Sequence, residues 1–450
     1  MTLWALSARE AAAHIRTGSL TSVALVQECL DRINETDEGI GAWAHLDADA
    51  ALAQAEAMDD LRRRGRPLGA LHGVPVGIKD IFETKDMPTG LGSRVHAGRQ
   101  GDADAALIEK LRSAGAIILG KTVTTPFAFA SPAHTRNPHD PSRTPGGSSS
   151  GSAAGVAAGH MPLALGTQTG GSMIRPASFC GTYGYKPTRG LFSRRGCLQT
   201  SATLDQPGIF ARSLDDLAIL GDALTGYDAA DPASIPRPVP RLEAGYAGIP
   251  PVEPLFAWID MPYAEQFSPA MRDGMEEMIS ALGERVERIA TPASFSNTIA
   301  HHATVHRYEF YHALHDDPGT QPGEIDDVMA GLLADGARIT EGEYLIAHAY
   351  VEGAKAYFSN FFNDYDAIIT PSALGEAPLL SEGTTGDPVC SLVWTFAGLP
   401  CLSLPWLTGE GGLPMGVQLV GSLEEDDRLF RTAAWLERHL DEPDEEKGDV

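Results

Sequence analysis

The sequence predicts an α/β fold, a sheet with helices packed against it, and three observations carry that prediction. Short apolar runs that alternate in period two, such as Val74, Val76 and Ile78, end in the manner of strands. Other stretches show helical spacing, such as Val23, Val26, Cys29, Leu30 and Ile33. In residues 151–159 nearly every side chain is Gly, Ala or Ser. That suits a helix pressed close against a sheet, where larger side chains would hold the two backbones apart.

At 450 residues the chain is long enough for two or three domains or for one large α/β unit. Hydrophobic residues at 43% and charged ones at 21% make an ordinary globular mixture with a sizeable core. No apolar run is long enough for a membrane span and no basic-then-apolar leader opens the chain, so a soluble, non-secreted, cytoplasmic protein is expected. The formal charge of −26 argues against nucleic acid or an anionic membrane as partner, because binding phosphates takes clustered Lys and Arg. Cys29, Cys180, Cys197, Cys390 and Cys401 contain no CxxC pair. Neither a disulfide framework nor a zinc site is indicated, and neither metal nor cofactor is expected.

In chain order, Ser7-Ala8-Arg9-Glu10 is a capping-box pattern that opens a helix expected to stop near Gly18. A second helix follows Ser22. A third, over 50–64, is rich in alanine and ends in three arginines that complement the negative end of its dipole. Residues 71–80 form a strand ending near Lys79, an unusual place for a side chain that ordinarily stays solvated. A helix over 104–115 and a buried strand over 116–119 follow. Residues 115–122 also fit the GxxxxGK[ST] phosphate loop, but the intervening residues are largely strand formers and no helix pattern follows Thr122, which argues against nucleotide binding.

A proline-bearing loop over 137–145 leads to two glycine-rich turns, one ending at Ser148 and the other at Ser172. In the second, Thr167-Gln168-Thr169-Gly170-Gly171-Ser172, two glycines stand immediately before a serine, so that successive N–H groups can converge beside its hydroxyl. An oxyanion hole is built this way from Thr169, Gly170, Gly171 and Ser172, although such glycine pairs also mark ordinary loops. The first turn also satisfies GxSxG with Ser149 as nucleophile. That motif requires a strand just before the serine, and here a proline-bearing loop precedes it.

Beyond Thr188, the Arg189, Arg194 and Arg195 group reads as a solvated face or an ion-pair site, and residues 226–254 as a surface connection. Residues 255–365 are mainly helical in pattern. His302 and His306 form an i, i+4 pair there that invites a metal reading, but no HExxH pattern or cysteine accompanies them, which favours surface or pocket-lining imidazoles. Ten aromatic residues crowd between Tyr308 and Tyr365; if this segment lies over Ser172, the pocket should be apolar and roomy. Strands are expected at 366–371, 401–404 and 415–420, then a closing helix over 424–440 and an acidic, disordered tail at 441–450.

The motifs GGSSSGSAAGVAAG, GTQTGGSMIRPASFCGTYGYKPT and LHGVPVGIKD together resemble the amidase signature hydrolases, with looser similarity along LDQPGIFARSLDDLAIL, FAGLPCLSLP and GLPMGVQLVG. The resemblance implies one domain over 1–440, a central mixed β-sheet surrounded by helices. Its catalytic core would be about 65–225 and 366–440, and 255–365 would be the more variable part. It places Lys79, Ser148 and Ser172 on the family's lysine, cis-peptide serine and nucleophilic serine. A serine hydroxyl needs a base within reach, and a lysine can be that base only when burial keeps it neutral. Gln168, Ser149 and Arg175 are the candidate substrate-binding residues. Arg175 lies three residues after Ser172, where many family members place the arginine two after, and Pro126 stands where an acidic residue is usual. The implied activity is hydrolysis of a small-molecule amide, carbamate or ester without a cofactor. The alternatives are an amidotransferase-type subunit that needs a partner, an esterase using Ser149, and a binding protein that keeps the fold without turnover. A homodimer is allowed.

Overall fold

Eleven strands form one mixed sheet in the computed structural model, which describes residues 2–292 and 295–441. They are β1 (Trp43–Leu46), β2 (Pro75–Lys79), β3 (Ile117–Thr122), β4 (Leu163–Gln168), β5 (Tyr183–Lys186), β6 (Gln206–Ala211), β7 (Phe256–Ile259), β8 (Val286–Ile289), β9 (Ala367–Pro371), β10 (Cys401–Thr408) and β11 (Pro414–Val420). Their spatial order is β1-β3-β2-β4-β6-β5-β10-β11-β9-β7-β8. The β2/β3, β2/β4, β7/β8 and β7/β9 pairs are parallel and the others antiparallel. Helices cover both faces, so successive strand residues alternate between two cores. Leu163, Leu165 and Ile118 point into one, while Ala164, Ile117 and Leu119 point into the other.

The expected N-terminal helix runs Ala8–Thr17, with the Ser7/Glu10 capping box formed and Gly18 left-handed at its end. The small-residue stretch is the helix Ser150–Ala157, buried from Ser150 to Val156. Its close approach is enforced at Gly151, where an added Cβ would stand 2.2 Å from the Ala42 carbonyl oxygen and 2.4 Å from the Val123 nitrogen. Residues 115–122 are not a phosphate loop: Gly115 makes a turn, the rest is mostly β3, and the buried Lys121 ammonium donates to the Phe82 carbonyl and the Thr89 hydroxyl, both at 2.7 Å.

The 255–365 segment is more than helical. It supplies β7 and β8, which extend the sheet to its far edge, and the helices Pro269–Leu282, Phe295–Leu314, Asp327–Arg338 and Glu341–Phe361. Of the arginine group, Arg194 is buried against Asp231 at 2.9 Å, and Arg195 pairs with Asp228 and Glu109. All five cysteines are unpaired, and all but Cys197 are buried. Among the described residues no helix is long and apolar enough to cross a membrane. The acidic tail beyond residue 441 lies outside the described residues.

Candidate active site

β2 and β4 are parallel neighbours, with Ile78 beside Leu165, so both strands deliver their C-terminal ends to the same edge of the sheet. Open α/β sheets bind ligands at such an edge. β2 ends in Lys79 there, and β4 runs straight into the turn that carries Ser172. The Lys79 side chain is fully buried, and its ammonium nitrogen lies 2.7 Å from both the Ser148 Oγ and the Thr167 Oγ1. No carboxylate stands within ion-pair distance of it among the described residues. Burial therefore dominates and pushes its pKa down to about 7, while the fields of Cys197 and Asp205 oppose the shift.

Ser148 follows a cis Gly147–Ser148 peptide, and its carbonyl accepts from the Thr125 N–H at 3.2 Å. The Gly147 carbonyl accepts from the Arg175 Nη2 at 2.6 Å, and Arg175 also donates to the Gly386 carbonyl at 2.7 Å and the Thr385 hydroxyl at 3.2 Å. Arg175 is thus a buried cation with no carboxylate partner within ion-pair distance among the described residues, and burial lowers its pKa to about 10. It cross-links the first serine turn to the 384–386 loop. Its Nε is buried without a partner.

Ser172 is half-buried at the wall of a cavity of ≈ 260 Å³, together with Thr169, Gly170, Gly171 and Arg175. Lys79 is coupled to Ser148 directly, and among the described residues no hydrogen bond joins Ser148 to Ser172. The N–H groups of Gly170, Gly171 and Ser172 have no acceptor among the described residues, and all three residues line the cavity.

Two candidate substrate-binding residues do not face this cavity. The Ser149 hydroxyl is fully buried, accepting from the Thr167 N–H and donating to the Thr167 carbonyl, both at 3.2 Å. That removes it as an elbow nucleophile as well. The Gln168 amide is consumed internally. Its Oε1 accepts from the Met173 and Ile174 N–H groups at 2.8 and 3.1 Å, and its Nε2 donates to the Thr395 hydroxyl at 2.9 Å.

His302 and His306 line the cavity, as does Arg307 from the same helix. The His302 Nε2 lies 2.9 Å from the Thr169 carbonyl, and among the described residues no group of three or more His, Cys, Asp or Glu is arranged to hold a metal. Burial depresses its pKa to about 4 and holds it neutral. The 255–365 segment does lie over Ser172, but the aromatic crowd is not what it presents. None of the ten aromatic residues lines the cavity. Phe310, Phe358 and Phe362 are core, and Tyr308 stacks on Tyr344 with ring centroids 4.2 Å apart. The apolar wall comes instead from Phe129, Leu332 and Leu392.

Sequence patterns left Asp205 and Thr395 unmarked. Asp205, buried and with a raised pKa, accepts from the Thr169 hydroxyl at 2.5 Å and from the Thr200 and Ser201 N–H groups at 2.6 and 2.9 Å. Glu309 then ties the same loop to the helix that carries His302, accepting from the Thr203 hydroxyl at 2.6 Å and the Tyr344 hydroxyl at 2.8 Å.

The amidase family model matches residues 24–430. The chain belongs to the amidase family. Among relatives of this amidase chain, the glutamyl-tRNA(Gln) amidotransferase A-subunit of Thermobifida fusca is 35% identical, covering 97% of this chain and 96% of the relative. Its counterpart in Chloroflexus aggregans is 34% identical, covering 96% of each. Solved structures agree with the architecture. A chain from a vestigial protein complex linked to the evolutionary origins of an s-triazine catabolic enzyme superposes with a TM-score of 0.90 at 28% identity, covering 96% of this chain and 98% of that one. The peptide amidase of Stenotrophomonas maltophilia does so with a TM-score of 0.81 at 29% identity, covering 96% of each.

Proposed function

We propose that this amidase hydrolyses the C–N bond of a small-molecule amide through an acyl-enzyme on Ser172. The observation that carries the reading is the buried Lys79 amine, 2.7 Å from the Ser148 hydroxyl and with its pKa lowered to about 7, behind a serine that faces a cavity. Neutral Lys79 takes the proton of Ser148 as Ser148 takes that of Ser172, and the Ser172 oxygen attacks the carbonyl carbon. The resulting oxyanion is held by the N–H groups around Thr169, Gly170, Gly171 and Ser172. When the C–N bond breaks, Ser148 returns a proton to the departing amine. Water then attacks the Ser172 ester, giving the acid and the free serine.

Carbamates and esters offer the same carbonyl and belong to the same proposal. The cavity, ≈ 260 Å³, lies near the small end of ligand pockets, about 300 Å³ upward. Its Phe129, Leu332 and Leu392 wall supports a medium-sized aryl or alkyl group on the substrate. Arg175 is also among the lining residues, which supports a polar group on the substrate beside it. The test compares kcat/KM of the purified chain on a nitroanilide and an aryl carbamate with that on acetamide and malonamate. Better turnover of the two small substrates would overturn the aryl preference.

A second reading follows from the names of the amidotransferase relatives: a subunit that releases ammonia to a partner. It predicts glutamine as substrate and little turnover of any amide by the isolated chain. Release of nitroaniline by the chain alone would argue against it.

A further inference from the structure

Three successive carbonyls of the Ser172 turn are each held by a donor from the protein. The Thr169 carbonyl accepts from the His302 Nε2 at 2.9 Å, the Gly170 carbonyl from the Thr395 Oγ1 at 2.8 Å, and the Gly171 carbonyl from the Arg175 N–H at 3.0 Å. A peptide group is planar and its C=O and N–H point in opposite directions. Each held carbonyl therefore turns the N–H of the next residue to the opposite side. Those next residues are Gly170, Gly171 and Ser172, whose N–H groups have no acceptor among the described residues. Two adjacent glycines would otherwise let these peptides rotate at little cost.

We infer that His302 and Thr395 are positioning residues that fix the orientation of the oxyanion-binding peptides; this rests on the reading of Ser172 as nucleophile. The Arg175 bond is ordinary first-turn helix geometry, whereas the other two come from side chains 133 and 225 residues away in sequence. A carbonyl only accepts, so the His302 Nε2 must carry its proton, and the neutral ring has that proton committed to Thr169. The Thr395 hydroxyl likewise commits its one proton to Gly170 and uses its oxygen to accept from Gln168. Gln168 in turn holds the Met173 and Ile174 N–H groups, so the turn and the start of the Ile174–Cys180 helix are locked to the same hydroxyl. His302 also lines the cavity, so one residue of the 255–365 segment both walls the substrate site and orients the charge-binding peptides.

The test uses four full-length variants, His302→Ala, His302→Gln, Thr395→Val and Thr395→Ser, with Ser172→Ala beside them. Turnover of 4-nitrophenyl acetate and the second-order rate of labelling by an alkyl fluorophosphonate are the readouts. His302→Ala and Thr395→Val should each lower kcat and the labelling rate by about 10- to 100-fold, below the loss of roughly 100- to 1,000-fold for deleting an oxyanion donor outright. KM should stay within about twofold, because the peptides bind the developing charge rather than the ground state. His302→Gln and Thr395→Ser keep a donor and should recover most of the loss. Wild-type kcat in the donor-less pair, a loss confined to KM, or no recovery in the donor-keeping pair overturns the inference. If Ser172→Ala keeps full turnover and labelling, the nucleophile reading itself fails. If it is dead while the other four match wild type, only the positioning inference fails.

Discussion

Replacing Lys79 with methionine should change the pH dependence of stability in a calculable way. The amine is fully buried, and its pKa falls from 10.5 to about 7 on folding. Below the folded value both states hold the proton, and folding bears the whole cost of burying the charge. Between the two values the unfolded chain holds the extra proton, so stability rises with pH by up to about 1.4 kcal/mol per pH unit. At pH 7 the difference is only about half a proton, so the gain from pH 7 to pH 9 integrates to about 2 kcal/mol. Methionine has no proton to exchange. Urea unfolding of both proteins at the two pH values should therefore show wild type gaining about 2 kcal/mol on Lys79→Met. Activity tracks the same titration: kcat/KM of wild type should rise about tenfold per pH unit below 7 and level off above it, while the variant stays inactive. Parallel stability changes with pH in the two proteins would refute a buried, neutralised lysine.

The neighbouring groups give two further expectations. Asp205→Asn keeps an acceptor for Thr169 but removes a charge that raises the Lys79 pKa, so the midpoint of the pH–rate profile should move to lower pH. An unchanged midpoint would remove Asp205 from the electrostatics of the base. Arg175→Met strands three buried acceptors, the Gly147 and Gly386 carbonyls and the Thr385 hydroxyl, and should cost about 2–4 kcal/mol by urea unfolding. Unchanged stability with a loss confined to carboxylate-bearing substrates would make Arg175 a substrate contact instead of a cross-link.

What was legible in the sequence was local. The capping box at Ser7, the period-two run into Lys79 and the small-residue helix after Ser149 each state their structure within a few residues, because capping, alternation and close approach are short-range constraints. The serine turns were legible through the resemblance of their motifs to the amidase family, since a Gly-Gly-Ser turn by itself also marks ordinary loops. His302 and Thr395 were not, because their partners are carbonyls of a turn 133 and 225 residues away, and no pattern of spacing encodes a side chain meeting a distant main-chain oxygen. The i, i+4 histidine pair was visible, yet spacing alone does not separate a metal ligand from a donor to a carbonyl. The aromatic residues misled for a related reason. Their density reports how much ring area the segment has, while its docking decides which face meets the cavity, and the rings went to the core, to one another, to neighbouring histidines and, for Tyr350 and Tyr357, to the exposed surface. Ser149 and Gln168 lie within the motifs but turn inward, where the buried turn needs their hydrogen bonds.

The assignment of Ser172 as nucleophile is tested most directly by treating the purified chain with an alkyl fluorophosphonate and locating the adduct by peptide mass spectrometry. One adduct on Ser172 is expected, absent from Ser172→Ala and formed at least about 100-fold more slowly in Lys79→Met, since a serine without its base is a weak nucleophile near neutral pH. An adduct on Ser149 or another serine, or labelling of Ser172 at the wild-type rate without Lys79, would contradict the account.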